Sequence, residues 1–123
     1  MASSLLGLRT VIYKVPDLEQ AKNWYSKAFE TSPYFDQPFY VGFNIGGYEL
    51  GLDPDGYMEN QPNTNSVAYW GIDHIQETFD RFIQLGAIPI EAPANVGEEI
   101  MVSTVADPWG NRIGLIYNPE FKL

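Results

Sequence analysis

The chain has 123 residues, a formal net charge of −9 at pH 7, 45% hydrophobic and 19% charged residues and no cysteine. That is the composition of one folded domain, 1–123, and it excludes disulfides, thiolate metal sites and cysteine nucleophiles. So acidic a surface repels phosphate backbones and anionic lipid, so neither nucleic acid nor a membrane is an expected partner. The start lacks a basic, apolar leader and no apolar run approaches about 20 residues, so the expected location is cytoplasmic.

In chain order, Leu6–Val15 is rich in β-branched residues and stops at Pro16, which predicts a strand. Asp17 followed by Gln20 is a helix-start signature, an acid at the cap with a glutamine three residues on. Leu18, Ala21, Trp24, Tyr25, Ala28 and Phe29 then share one helical face, and Pro33 prevents continuation. Short extended segments follow. Phe39, Val41, Phe43 and Ile45 alternate as in a half-buried strand, Gly46-Gly47 marks a hairpin turn, and Tyr48–Asp53 is the returning strand. Residues 54–65 carry Pro, Gly, Asn and Asp throughout and are expected to be a linker.

The pattern then restarts. Ser66–Ile72 is a predicted strand, and Asp73 with Gln76 repeats the acid-and-glutamine cap. Ile75, Phe79, Phe82, Ile83 and Leu85 form a second apolar stripe, closed by Gly86. Strands are expected over Ala87–Glu91, Glu99–Ala106 and Asn111–Tyr117, the last two separated by the turn Asp107-Pro108-Trp109-Gly110-Asn111. Asp17 and Asp73 lie 56 residues apart, whereas the similar segments around Gly51 and Gly114 lie 63 apart, which places a small insertion in the second half. One such repeat buries too little surface alone. The expected fold is therefore α+β, with two βαβββ repeats, about 6–58 and 66–118, forming a curved mixed sheet, or cup, with the helices outside.

Val15-Pro16-Asp17 followed by Trp24-Tyr25, and Asp107-Pro108-Trp109-Gly110-Asn111 followed by a strand, resemble the vicinal-oxygen-chelate superfamily of glyoxalase I, bleomycin-resistance proteins and extradiol dioxygenases. With the duplicated layout, the resemblance covers nearly the whole chain. It implies a fold and a cup, and does not by itself imply a reaction. Metal-using members place a His, Gln or Glu on the first and last strand of each repeat. The corresponding positions are Thr10, Gly51, Val67 and Gly114, which supply no ligand set for a divalent metal. No metal and no other cofactor is therefore expected. His74, the only histidine, falls at a helix start and reads as solvated.

Strand alternation puts Thr10, Ile12, Lys14, Glu49, Gly51 and Asp53, and Val67, Tyr69, Gly71, Arg112, Gly114 and Ile116, on the cup face. A space lined by a few polar and several apolar or aromatic groups is suited to a small organic molecule. The candidate ligand-binding residues are Thr10, Lys14, Glu49, Tyr69, Trp109 and Arg112, with Trp109 either flanking the mouth or packing on the surface. In glyoxalase I an arginine at the position of Lys14 holds a carboxylate, which implies an anionic ligand; the competing reading is that Lys14 neutralises Glu49 or Asp53. The catalytic residues are not identified by the sequence.

Three functions follow in order: a metal-free module binding a small molecule; a glyoxalase-related lyase or dioxygenase using an unrecognised metal or an acid–base pair such as Glu49 with Tyr69; and an interaction domain without a ligand. A homodimer is expected, because short curved sheets leave edges that pairing covers.

Overall fold

The computed structural model describes residues 4–59 and 66–121. The chain divides into two compact units, 1–57 and 58–123, each a βαβββ repeat. The first contains β1 (Thr10–Lys14), α1 (Leu18–Ala28), β2 (Phe35–Gln37), β3 (Tyr40–Ile45) and β4 (Tyr48–Asp53); the second contains β5 (Ala68–Gly71), α2 (Ile75–Gln84), β6 (Ile88–Gly97), β7 (Ile100–Ala106) and β8 (Arg112–Tyr117). The part of the expected linker at 60–65 lies outside the described residues.

Each unit holds a four-stranded mixed sheet, in the orders β1-β4-β3-β2 and β5-β8-β7-β6. The first and last strands of each repeat pair in parallel and the others antiparallel. A parallel neighbour requires a crossover, and here the helix together with two further strands supplies it.

In the first unit, alternation sends Tyr13, Val41, Phe43, Leu50 and Leu52 to one face, where all are buried. The helix closes over that face with Ala21, Tyr25 and Ala28. Tyr25 is fully buried, stacked on Tyr13 and Phe29 with centroids 5.7 and 5.8 Å away and touched edge-on by Trp24 at 4.9 Å. Burial of one such ring stabilises by about 1.5–3 kcal/mol. Asp17 caps the helix as expected, its Oδ1 accepting from Gln20 N at 3.0 Å. The chain leaves the helix through Glu30 at φ 54°, with Thr31 N donating to Ser26 O. The hairpin at Gly46-Gly47 forms as expected, both glycines having positive φ between the paired residues Ile45 and Tyr48.

The second unit repeats the scheme with Ile75, Phe79, Phe82, Val105, Ile113 and Leu115 as its core. Its helix start differs from the sequence expectation. The N-cap is His74, without a side-chain cap bond, and Thr78 N donates to His74 O as the first helical bond. The chain enters the helix one residue later than in the first unit, which leaves Asp73 outside it. His74 is exposed. Gly86, at φ 103°, ends the helix in a Schellman arrangement, Ala87 N donating to Phe82 O and Gly86 N to Ile83 O. The insertion inferred from spacing falls in β6, ten residues long where β2 has three; three register shifts break its pairing with β7.

Candidate functional site

The sheet face turned away from α1 carries Thr10, Ile12 and Lys14 of β1, Tyr40 and Gly42 of β3, and Glu49, Gly51 and Asp53 of β4. The register places Thr10 beside Glu49, Ile12 beside Gly51 and Lys14 beside Asp53. Glu49 is the centre of this face. Its Oε1 accepts from Thr10 Oγ1 at 2.7 Å and Tyr40 Oη at 2.9 Å, and its Oε2 accepts from Tyr34 Oη. Three hydroxyls, and no cation among the described residues, hold the carboxylate. The Tyr34 hydrogen bond is the largest cause of a lowered carboxyl pKa; desolvation opposes it, and Thr10 and Tyr40 reinforce it. Hydrogen bonds to the charged form favour ionisation, and they also make Glu49 a weak base. Tyr40 is pushed up to about 12, chiefly by burial and then by its bond to Glu49.

Tyr40 also explains why β4 carries glycine at position 51. A Cβ there would stand 1.9 Å from Tyr40 Oη and 2.6 Å from its Cζ, so the phenol occupies the space a side chain would need. At Gly42, a Cβ would lie 2.9 Å from Glu49 Oε2 and 3.2 Å from Tyr34 Cε1. Two glycines thus make room for two tyrosines that converge on one carboxylate. Beside them, Lys14 Nζ lies 3.1 Å from Asp53 Oδ2, and Asp53 Oδ1 accepts from Asp55 N at 2.9 Å. That backbone bond leads the causes that lower the Asp53 pKa, ahead of its hydrogen bond to Lys14. An acidic ligand at Lys14 would have to compete with Asp53.

In the second unit, the face turned away from α2 carries Tyr69, Arg112, Gly114 and Ile116. Tyr69 pairs with Gly114, and its ring covers that glycine: a Cβ there would be 2.7 Å from Tyr69 Cδ2 and 2.8 Å from Ala68 O. Tyr69 is 45% exposed. Arg112 is half-buried, with Nη1 buried and lacking a hydrogen-bond partner among the described residues. Trp109, also half-buried, sits in a turn built around the fully buried Asp107. Asp107 Oδ1 accepts from Trp109 N and Asn111 N, and its Oδ2 from Asn111 Nδ2, at 2.8–2.9 Å. This is a polar knot that fixes the entry to β8.

These residues do not fit a transition-metal site. Gly51 and Gly114 bear no donor and lie under tyrosine rings, Val67 is apolar, and Thr10 spends its hydroxyl on Glu49. The carboxylate beside Thr10 faces three O–H donors rather than a histidine. Among the described residues, no group of three or more His, Cys, Asp and Glu could hold a metal ion. Open concavities of about 540 and 410 Å³ lie elsewhere, one against Glu98, Ile100 and Phe121, the other against Leu18, Asp36 and Val41. They are shallow surface features and contain none of the residues that converge on Glu49.

The structure therefore brings Thr10 and Glu49 into contact, sets Lys14 on the same face, and places Tyr69 and Arg112 on the corresponding face of the second unit. Sequence reading missed Tyr34 and Tyr40. Tyr40 was accessible to it, because a residue alternating with Val41 and Phe43 must face away from the core; Tyr34 lies between elements and had no such signal.

Two successive βαβββ units, each with a parallel first-and-last strand pair and one helix on the sheet, define a duplicated domain of the glyoxalase class. The Glyoxalase/Bleomycin resistance protein/Dioxygenase superfamily profile matches residues 7–115, and the chain belongs to that superfamily. Solved structures share its fold at low identity. A glyoxalase-related enzyme from Fulvimarina pelagi is 16% identical with a TM-score of 0.79, covering 97% of this chain and 93% of that one. A lactoylglutathione lyase from Agrobacterium tumefaciens is 19% identical with a TM-score of 0.72, covering 97% and 100%. A glyoxalase/bleomycin resistance protein from Albidiferax ferrireducens is 20% identical with a TM-score of 0.71, covering 91% and 98%. No curated protein matches the chain.

Proposed function

We propose that this member of the superfamily binds a small organic molecule on the helix-free faces of its sheets and does so without a metal. The observation that carries the proposal is the Glu49 cluster. Where the family pattern calls for metal ligands, this chain has glycines roofed by Tyr40 and Tyr69, and its one carboxylate beside Thr10 is satisfied by hydroxyls. The ligand-contacting residues are Thr10, Lys14 and Glu49 in the first unit and Tyr69, Trp109 and Arg112 in the second. A few fixed polar groups among aromatic rings is the usual make-up of a small-molecule site.

The lyase or dioxygenase alternative has less support. A general base works best with a pKa near the working pH, whereas Glu49 is held below the ordinary carboxylate value. The surroundings of Glu49 suit a fixed anion better than a proton shuttle.

We further propose a cytoplasmic homodimer that binds neither nucleic acid nor membrane. The net charge of −9 supports the last two points, and neither described helix is long and apolar enough to cross a membrane. Ile88, Ile90 and Val96, 43–60% exposed on the edge strand β6, support pairing with a second copy. A thermal-shift screen of small organic cations, acids and thiol conjugates, run with and without chelator, tests the main proposal. A ligand-dependent rise in Tm that survives chelation is expected; no rise with any compound, or a rise that chelation abolishes, contradicts it.

A further inference from the structure

The β2–β3 hairpin carries exposed aromatic rings beside Glu49. Phe35 and Phe39 are 37% and 66% exposed, and Tyr34 is 63% exposed. Gln37 and Tyr40 close the hairpin across Pro38-Phe39, which holds Phe39 at its tip. The ring of Phe35 stands between two others, 6.1 Å from Phe39 at 68° and 6.0 Å from Tyr40 at 58°. These steep angles make a corner of ring faces and edges rather than a flat stack. Phe35 pairs with Gly42 and Gly42 with Gly51, so the corner opens on the same face as Glu49. The hydroxyl of Tyr40 joins the two, since its ring borders Phe35 and its Oη bonds Glu49.

The charge on this face is one-sided. The Lys14 charge is offset by Asp53. Arg9 Nη1 is turned to the carbonyls of Leu6 and Leu8, and Lys22 pairs with Glu19 and Asp36. Among the described residues, Glu49 has hydroxyl partners only, so its negative charge is hydrogen-bonded but not neutralised by them. Hydroxyl donors keep a carboxylate ionised while adding no positive charge. Aromatic faces attract cations through the ring quadrupole, and a carboxylate bonded to one of the three rings adds Coulombic attraction.

We infer that the corner formed by Phe35, Phe39 and Tyr40 in front of Glu49 binds the alkylammonium group of a small molecule. This deepens the proposed function and rests on its reading of this face as a ligand surface. It assigns the first unit a preference for cations, set by Glu49, with Lys14 committed to Asp53. The rings supply the contact and the carboxylate supplies the sign. Tyr34 is a positioning residue that fixes the Glu49 carboxylate, to which Thr10 also donates.

The test compares three probes of one shape: choline, the neutral neohexyl alcohol and the anionic tert-butylacetate, each titrated into the full chain while its amide shifts are followed. Choline is expected to perturb residues 34–42 and to bind several-fold more tightly than the neutral probe. Phe35→Leu, at an exposed ring, is expected to weaken choline by about two- to fivefold, the contribution of one exposed cation–π contact. Glu49→Gln is expected to erase the preference for choline over neohexyl alcohol; its Tm shows whether the fold is retained, and Phe35→Leu carries the test if it is not. Binding of tert-butylacetate in preference, or equal binding of all three, overturns the inference but leaves the small-molecule reading intact. No response to any probe also overturns the inference, and the broader reading is then decided by the thermal-shift screen.

Discussion

The phenol of Tyr40 fills the space above Gly51, where a Cβ would stand 1.9 Å from its Oη. Gly51→Ala must displace a ring whose hydroxyl also bonds Glu49, so it is expected to destabilise by about 1–3 kcal/mol, the usual cost of overpacking. In a Tyr40→Ala background the obstruction is gone and the same substitution should cost much less. A double-mutant cycle by urea denaturation measures the coupling. Additive effects would mean that Tyr40 does not roof Gly51.

Glu49 makes stability depend on acid. Its folded pKa is lowered from an ordinary 4.5, led by the hydrogen bond from Tyr34. Its contribution is therefore complete at neutral pH and is lost as pH falls below 4.5 and through the lowered value. Asp53, lowered chiefly by the Asp55 backbone N–H, adds a loss in the same acidic range, so the diagnostic quantity is a difference. The Tm gap between wild type and Glu49→Gln should be widest at neutral pH and narrow towards pH 3, as followed by circular dichroism. A gap independent of pH would show that the hydroxyls do not favour the carboxylate.

Asp107 is fully buried and accepts hydrogen bonds from Trp109 N and Asn111 N of its own turn and from Asn111 Nδ2. Asp107→Ala leaves Trp109 N, Asn111 N and Asn111 Nδ2 without that partner. The expected loss is about 2–4 kcal/mol, because buried donors left unpaired carry their full desolvation penalty. Asp107→Asn, which keeps one acceptor, should lose less. Chemical denaturation checks both, and an Asp107→Ala protein of wild-type stability would contradict the account of the turn.

Much of this fold was legible because two periodicities recur in order. Tyr13, Val41, Phe43, Leu50 and Leu52 alternate into the core, and Ala21, Tyr25 and Ala28 recur at helical spacing, so strand, helix and facing could be read from residue types. Alternation likewise placed Thr10, Lys14, Glu49 and Gly51 on one face. What was not legible depends on tertiary contact. The Asp73-to-Gln76 spacing matches the first helix start, yet the cap falls on His74, since a cap bond requires backbone geometry that spacing alone does not specify. The length of β6 was hidden by Pro89, Pro93 and its register shifts, which interrupt the strand pattern without ending the strand. The role of Tyr34 follows only from its approach to Glu49, a contact between residues 15 apart that no local rule supplies.

We propose that this glyoxalase-family chain works without a metal, and elemental analysis of protein purified without chelator is the deciding measurement. With Gly51 and Gly114 roofed by tyrosines and Glu49 held by Thr10, Tyr34 and Tyr40, zinc, nickel, manganese and iron are each expected far below one equivalent per chain. Near one equivalent of any of them, retained through gel filtration, would contradict the account.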